Sequence, residues 1–152
     1  MFGDRKAFPL VQSRFATAQP ALSADGKWLS YVSYESGQPG VYVTRFSPTG
    51  PSGRRQVSTH GGNWPEWHHD GEELFYVASD DKIMAAAISE QGSNLSIGKV
   101  QGLFQTNYSA GPGWDYDVSP DGKKFLVISQ GAEQVAQPLT LVVNWPALLE
   151  KQ

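Results

Sequence analysis

The stretch Trp114–Ser129 reads Trp-Asp-Tyr-Asp-Val-Ser-Pro-Asp-Gly-Lys-Lys-Phe-Leu-Val-Ile-Ser. A short alternating segment precedes an Asp-Gly pair and a more apolar segment follows it, which is the pattern of a β-hairpin. We predict a type I′ turn here, because both central residues of that turn need positive φ, which Gly adopts freely and Asp tolerates. The unit recurs around Asp25-Gly26 and Asp70-Gly71, and with Asp121-Gly122 these are all the Asp-Gly pairs of the chain.

Aligning the three Asp-Gly pairs reveals an internal repeat. Apolar residues share the positions three before the Asp and three, five and six after the Gly: Leu22, Trp67 and Val118; Leu29, Leu74 and Phe125; Tyr31, Tyr76 and Val127; Val32, Val77 and Ile128. The turns are 45 and 51 residues apart, a period typical of propeller blades or of longer helical arrays. The Gly, Pro and β-branched content favours strands, so we predict an all-β chain of three four-stranded propeller blades.

Each repeat is predicted to supply an outer, an inner and two middle strands, with the outer strand joining the sheet of the preceding blade. The predicted strands are Ala7–Gln12, Gln19–Ser23, Trp28–Ser33, Val41–Phe46, Arg55–Ser58, Trp64–His68, Leu74–Ala78, Ile83–Ser89, Lys99–Thr106, the two around Asp121-Gly122, and Leu139–Trp145. Residues 1–152 are expected to form a single domain, with repeats at about 5–48, 54–90 and 98–146.

The repeats resemble the WD40-like Pro-Asp repeat of TolB-type propellers, whose pattern is Ser-Pro-Asp-Gly followed by a strand. Residues 119–122 match this pattern in full, residues 23–26 lack the Pro, and residues 68–71 keep only the Asp-Gly. Residues 31–43 and the ending Val-Val-Asn-Trp at 142–145 are further similar to the C-terminal propeller half of certain bacterial serine/threonine kinases. The resemblance covers nearly the whole chain and implies a fold more than an activity.

Propellers of this family usually close with six blades, so the resemblance implies that the chain is half of a six-bladed ring. An isolated half would expose two blade faces and an open sheet edge, which favours association. Either the chain is a truncated half of a larger protein or two chains complete one ring. We expect a homodimer in which the strand Ala7–Gln12 of each chain pairs with Leu139–Trp145 of the other.

Composition excludes several classes of function. The net charge of −3 provides no basic surface for nucleic acid, and the absence of Cys excludes disulfides and Cys-based metal sites. No stretch approaches the roughly 18 apolar residues of a membrane span, and the first residues lack the apolar run of a signal peptide. We expect a soluble chain without membrane insertion, and the composition leaves open whether it is periplasmic or cytoplasmic.

Two clusters suggest chemistry. His68, His69 and Asp70 include potential metal ligands, but neighbouring residues on a strand point to opposite faces, so the two His side chains do not readily share one ion. Asp115 and Asp117 lie two apart on a strand and share a face, as a catalytic carboxylate pair in a lyase or glycosidase would. A turn role for Asp70 and a structural role for the other residues are favoured, and we expect no metal, cofactor or catalytic residue.

A ligand is expected at the mouth of the axial channel, where loops on a rigid scaffold form common binding surfaces. The candidate residues are Asn63, Trp64, Trp114, Asp115 and Asp117. Arg54-Arg55 is interpreted as a solvated loop pair. The sequence therefore predicts a non-enzymatic propeller module that binds a protein, peptide or small molecule. The alternative is an accessory or sensor propeller cut from a larger enzyme, such as a kinase or peptidase.

Overall fold

The computed structural model describes residue 9 and residues 11–47, 52–92, 94–106, 116–128 and 139–143, and most of this backbone forms antiparallel hairpins. Eleven strands and no helix occur in these ranges, as the all-β prediction requires. The strands are β1 (Thr17–Leu22), β2 (Trp28–Ser33), β3 (Gly40–Arg45), β4 (Ser52–Gln56), β5 (Asn63–Trp67), β6 (Glu73–Val77), β7 (Lys82–Gln91), β8 (Asn94–Gln105), β9 (Tyr116–Val118), β10 (Lys124–Ile128) and β11 (Leu139–Val143).

The strands form three antiparallel sheets, one for each repeat. The first sheet has the order β1-β2-β3-β4, the second β5-β6-β7-β8 and the third β9-β10-β11. Strands β4 and β8 lead into the second and third repeats, yet each pairs with the sheet before it, as predicted. The third sheet has three strands within the described residues, and its predicted fourth strand, Ala7–Gln12 of a second copy, stays a prediction.

The second sheet lies between the other two and packs on both. Its one face, with Leu74 and Tyr76, shares a buried cluster with Val32 and Val43 of the first sheet. Its other face shares a second buried cluster with the third sheet, formed by Phe75, Val77, Ile83, Ala85, Leu103, Tyr116, Phe125 and Val127. Because side chains alternate across a strand, the apolar run of β6 supplies both clusters at once.

The turn geometry differs from the type I′ prediction, which is wrong. In each turn Gly has positive φ, 70° at Gly26, 76° at Gly71 and 68° at Gly122, whereas the preceding Asp does not. The Gly amide donates to the carbonyl three residues earlier, for example from Gly26 to Ser23 at 2.8 Å. This is the pattern of a type I turn with Gly at its last position, which leaves the Asp carboxylate free to bind backbone amides.

Two further predictions concern sheet edges. Val11 and Gln12, the described end of the predicted strand Ala7–Gln12, lie outside any strand, and the pairing of that strand with a second copy stays a prediction. The Arg54-Arg55 pair lies in the exposed strand β4 and not in a loop. Arg54 contacts Glu35 at 2.7 Å and lies over the ring of Tyr42, so its side chain is anchored.

Candidate functional site

The three hairpin turns meet around a cavity of about 300 Å³, which we call the turn-end cavity. It is lined by equal positions of the three repeats: Leu22 and Ala24 from the first, Glu66, Trp67, His68 and His69 from the second, and Val118, Ser119 and Pro120 from the third. Every repeat contributes residues from the end of its first strand up to its Asp-Gly pair. The repeated positions therefore line this cavity.

The first strands of the repeats are joined by hydrogen bonds beside the cavity. The Trp64 amide donates to Gln19 Oε1 at 2.6 Å, and Trp67 Nε1 donates to the carbonyl of Ala21 at 3.2 Å. The Tyr116 hydroxyl donates to the Trp64 carbonyl at 2.6 Å. Gln19 and Trp64 occupy equal repeat positions and both have positive φ, 54° and 49°, so the same backbone irregularity recurs in β1 and β5.

The predicted ligand residues that the structure describes do not line the turn-end cavity. Asn63 and Trp64 lie in β5 but do not line the turn-end cavity, and the backbone of Trp64 is used to connect strands. Asp117 is exposed on β9 and its carboxylate accepts the Val118 amide at 2.8 Å. Trp114 and Asp115 lie outside the described residues, so the predicted pairing of Asp115 with Asp117 stays a prediction.

Glu66 is the carboxylate that sequence reasoning missed. Burial raises the pKa of Glu66, and the nearby charge of Asp117 raises it further. Burial also raises the pKa of the Tyr116 hydroxyl well above its usual value, with smaller contributions from Glu66 and Asp117. A half-buried acid beside a second carboxylate is destabilised in its charged form, so this side of the cavity favours a neutral group or a cation.

Replacing Glu66 with Gln is expected to stabilise the protein by about 0.5 kcal/mol at neutral pH. Because folding raises the pKa of Glu66, the favourable contribution of the neutral acid is present below its unfolded pKa of about 4.3 and is lost as the pH rises through the folded value. The gain should therefore vanish near pH 4. Urea unfolding at both pH values measures the difference.

The control is Glu72→Gln, which removes an exposed carboxylate from the same hairpin and should leave the free energy of unfolding unchanged at both pH values. A Glu66→Gln variant that is less stable than the wild type at neutral pH would contradict the prediction, since it would mean that the charged carboxylate makes a favourable contact in the folded state.

The His68-His69-Asp70 cluster is arranged as a turn. His68 Nδ1 lies 2.6 Å from Asp70 Oδ1, and the same carboxylate oxygen accepts the Glu72 amide at 2.8 Å. His69 is exposed. Among the described residues no three His, Asp or Glu side chains converge in a way that could hold a metal ion.

A larger cleft of about 430 Å³ lies at the second sheet alone. It is lined by Thr59, His60, Gly61, Tyr76, Ala78, Ser79, Asp80, Lys82, Met84 and Gly102. These residues come from one repeat and the connection before it, and Lys82 Nζ already lies 3.6 Å from Asp80 Oδ2. The turn-end cavity is therefore the candidate that all three repeats share.

The alignment of the repeats contained the signal that identifies the cavity. The residues two and three before each Asp were aligned as repeat positions, and these line the cavity in the second and third repeats. The sequence prediction placed the ligand at aromatic and paired acidic residues instead, because those types are common in binding sites. Glu66 could have been found by asking which residue of each first strand directly precedes the aligned apolar position.

Sequence comparison connects the chain with TolB, although no family model matches it. The TolB protein of Alcanivorax borkumensis is 33% identical over 75 residues, covering 47% of this chain and 17% of that protein. A TolB homologue of Chlorobium luteolum is 28% identical over 123 residues, covering 79% of this chain and 25% of the homologue. The chain thus spans a quarter or less of these curated relatives.

Solved structures agree on the fold. A puromycin-hydrolysing peptidase of Mycobacterium tuberculosis superposes with a TM-score of 0.61 at 20% identity, over 87% of this chain and 21% of the peptidase. An oligogalacturonate lyase of Vibrio parahaemolyticus gives a TM-score of 0.56 at 16% identity, over 78% of this chain and 31% of the lyase.

The chain has a TolB-like β-propeller fold. The predicted resemblance to TolB-type propellers is confirmed by the TolB relatives and by the structural neighbours, which are β-propellers too. In this TolB-like chain, none of the described segments is a helix of the length and apolarity needed to cross a membrane.

Proposed function

We propose that this TolB-like chain is a non-enzymatic interaction module that forms half of a six-bladed propeller, and that a second copy completes the ring. The observation that carries this proposal is that, within the part of the chain that the structure describes, two sheet faces have no partner sheet. One is the face of the first sheet that bears Leu29 and Tyr31, and the other is the face of the third sheet that bears Leu126 and Ile128. We call them the open faces.

The second sheet supports the assignment of these faces, because both of its own faces are covered. Leu29 and Tyr31 occupy the repeat positions of Leu74 and Tyr76, which the first sheet buries. Leu126 and Ile128 occupy the positions of Phe75 and Val77, which the third sheet buries. Each open face is therefore the repeat equivalent of a face that packs on a neighbouring blade.

On the third sheet, exposure differs between the equivalent positions as the proposal requires, whereas Leu29 and Tyr31 on the first sheet are 8% and 4% exposed and lie in a small cluster with Tyr42. Leu126 and Ile128 are 41% and 38% exposed, whereas Phe75 and Val77 are 0% and 3% exposed. On the first sheet, an apolar groove of about 270 Å³ is lined by Val11, Thr17, Ala18, Pro20, Leu29 and Tyr31. The open face of the third sheet in a second copy supplies apolar side chains that suit this groove.

The pairing of strands supports the same arrangement of two copies. The first two sheets each receive a fourth strand from the segment that leads into the next repeat. The equivalent segment before the first repeat is residues 7–12, where Val11 packs on Leu29 and Tyr31, much as Val57 packs between the first two sheets. We propose that this segment pairs with β11 of a second copy.

Light scattering after size exclusion tests this assembly. We expect a particle of twice the 16.6 kDa chain mass that persists at micromolar concentration. The four open apolar faces buried per dimer, two from each chain, should exceed the area of a standard stable interface. A well-folded monomer throughout the concentration range would refute the homodimer.

The turn-end cavity is the proposed binding surface for a protein, peptide or small ligand. Its lining combines the buried Trp67 with Glu66 and His68, so it offers both apolar area and hydrogen-bonding groups. In the proposed ring, two such cavities would lie on the same end of the axial channel.

A second candidate function is that of an accessory or sensor propeller within a larger enzyme, such as a kinase or peptidase. The short span that the chain covers in its relatives, 17% and 25% of the TolB proteins and 21% of the peptidase, favours this candidate. In that case the missing blades come from the same polypeptide. Sequencing the gene on both sides of the chain distinguishes the two, because a further repeat or a catalytic motif in frame would indicate the larger enzyme.

A further inference from the structure

His68 replaces a Ser that the other two turns share. In the first turn Ser23 Oγ donates to Asp25 Oδ1 at 2.7 Å and accepts the Trp28 amide at 2.9 Å. In the third turn Ser119 Oγ donates to Asp121 Oδ1 at 2.5 Å and accepts the Lys124 amide at 3.0 Å. These bonds are confined to a single hairpin.

The imidazole of His68 stays beside the Asp of its own turn and extends beyond it. Its Nδ1 lies 2.6 Å from Asp70 Oδ1, as the Ser hydroxyls do in the other turns. The far side of the ring reaches the third turn, where a Cβ at Gly122 would lie 2.5 Å from His68 Cδ2 and Nε2. The edge of the ring also meets Phe75, at 6.2 Å between centroids.

We propose that His68 is a pH-sensitive link between the second and third turns, which holds the third sheet most firmly when the imidazole is protonated. A Ser at this position is too short to reach Gly122. The absence of a side chain at Gly122 lets the ring approach the backbone of the third turn. The link therefore joins two sheets at the point where both turns line the turn-end cavity.

The charged groups around His68 favour the imidazolium form. From its own hairpin Asp70 and Glu73 face the ring, and from the third turn the backbone of Asp121 favours its charged form. Phe75 adds no charge, and the Asp121 carboxylate is bound to Ser119. Burial on its own lowers the pKa of His68, but the bond to Asp70 and these further contacts more than offset it and raise the pKa.

The direction of the pH effect follows from this arrangement. Because the folded protein raises the pKa of His68, the contribution of the link is fully present below the unfolded value of about 6.5. It is lost as the pH rises through the folded value. Among the described residues the third sheet packs on the rest of the chain through one face, so loosening the turns should first be visible in the third sheet.

Amide hydrogen exchange of β10 measures this effect in the full chain. Between pH 5.5 and pH 8.5, after correction for the intrinsic exchange rate, the protection of Phe125 and Val127 is expected to fall on the order of fivefold, as a charge-assisted hydrogen bond becomes a neutral one. In His68→Ser the protection should be independent of pH. This variant should fold, because the first and third turns carry Ser at the same position.

His69→Ser is the matched control, since His69 is the exposed neighbour in the same turn, and it should keep the pH dependence of the wild type. An NMR titration of the His68 ring should give a value above that of an ordinary His. The proposal is overturned if His68→Ser retains the pH dependence, if His69→Ser removes it, or if His68 titrates at or below the ordinary value.

Discussion

Replacing Ile128 with Asp is expected to weaken self-association of the chain by about 100-fold or more. Ile128 is 38% exposed on the open face of the third sheet, while its repeat equivalents Val32 and Val77 are 0% and 3% exposed between sheets. In the proposed ring a carboxylate there would be buried against the first sheet of the second copy without a partner. Sedimentation equilibrium over a dilution series measures the dissociation constant.

The substitution should leave the single chain folded, because Ile128 contributes little buried area within it. Tyr34→Asp is the matched control, since Tyr34 is 42% exposed but follows β2 and lies outside both open faces. It should retain the mass of the wild type. If Ile128→Asp stays dimeric, the copies associate through another surface and the ring proposal fails.

The apolar positions of the second sheet that the repeat alignment identified are buried in the structure. Leu74 and Tyr76 face the first sheet and Phe75 faces the third, as strict alternation along a strand requires. The direction of each side chain follows from its position along the strand, because a register shift of one residue would move the whole apolar set to the other face. The pairing of strands β4 and β8 with the preceding sheet was also predicted, from the order of strands in each repeat.

The geometry of the turns could not be predicted from the Asp-Gly pair. Asp-Gly on its own favours type I′, but Ser23 two residues earlier binds the Asp25 carboxylate, which also accepts the Lys27 amide at 3.0 Å. These side-chain bonds stabilise a longer connection in which Gly26 alone has positive φ. The contribution of the preceding residue is visible only once the hydrogen bonds are known.

The environment of Glu66 and His68 depends on contacts between sheets, which a single sequence does not specify. Glu66 lies on β5 and Asp117 on β9, 51 residues apart, and their proximity follows from how the second and third sheets pack. The contact of His68 with Gly122 arises in the same way. Sequence analysis identified the repeat, whereas the differences among repeats at equal positions gave the site its chemistry.

Replacing Phe125 with Ala is expected to lower the free energy of unfolding by about 3–5 kcal/mol. Phe125 is fully buried, and its ring meets Phe75 at 5.1 Å, Phe104 at 5.3 Å and Tyr116 at 6.4 Å between centroids. The variant would lose these aromatic contacts and leave a cavity between the second and third sheets. Urea unfolding monitored by Trp fluorescence and by far-UV circular dichroism measures the loss.

Leu126→Ala separates this packing effect from assembly, because Leu126 is the next residue on β10 and points to the opposite, open face. Both substitutions are best made in the Ile128→Asp background, so that association does not enter the free energy. There Leu126→Ala should change the stability by less than about 1 kcal/mol, and Phe125→Leu should recover much of what Phe125→Ala loses. Equal losses for Phe125→Ala and Leu126→Ala would mean that both faces of the third sheet are buried within one chain, which would remove the need for a second copy.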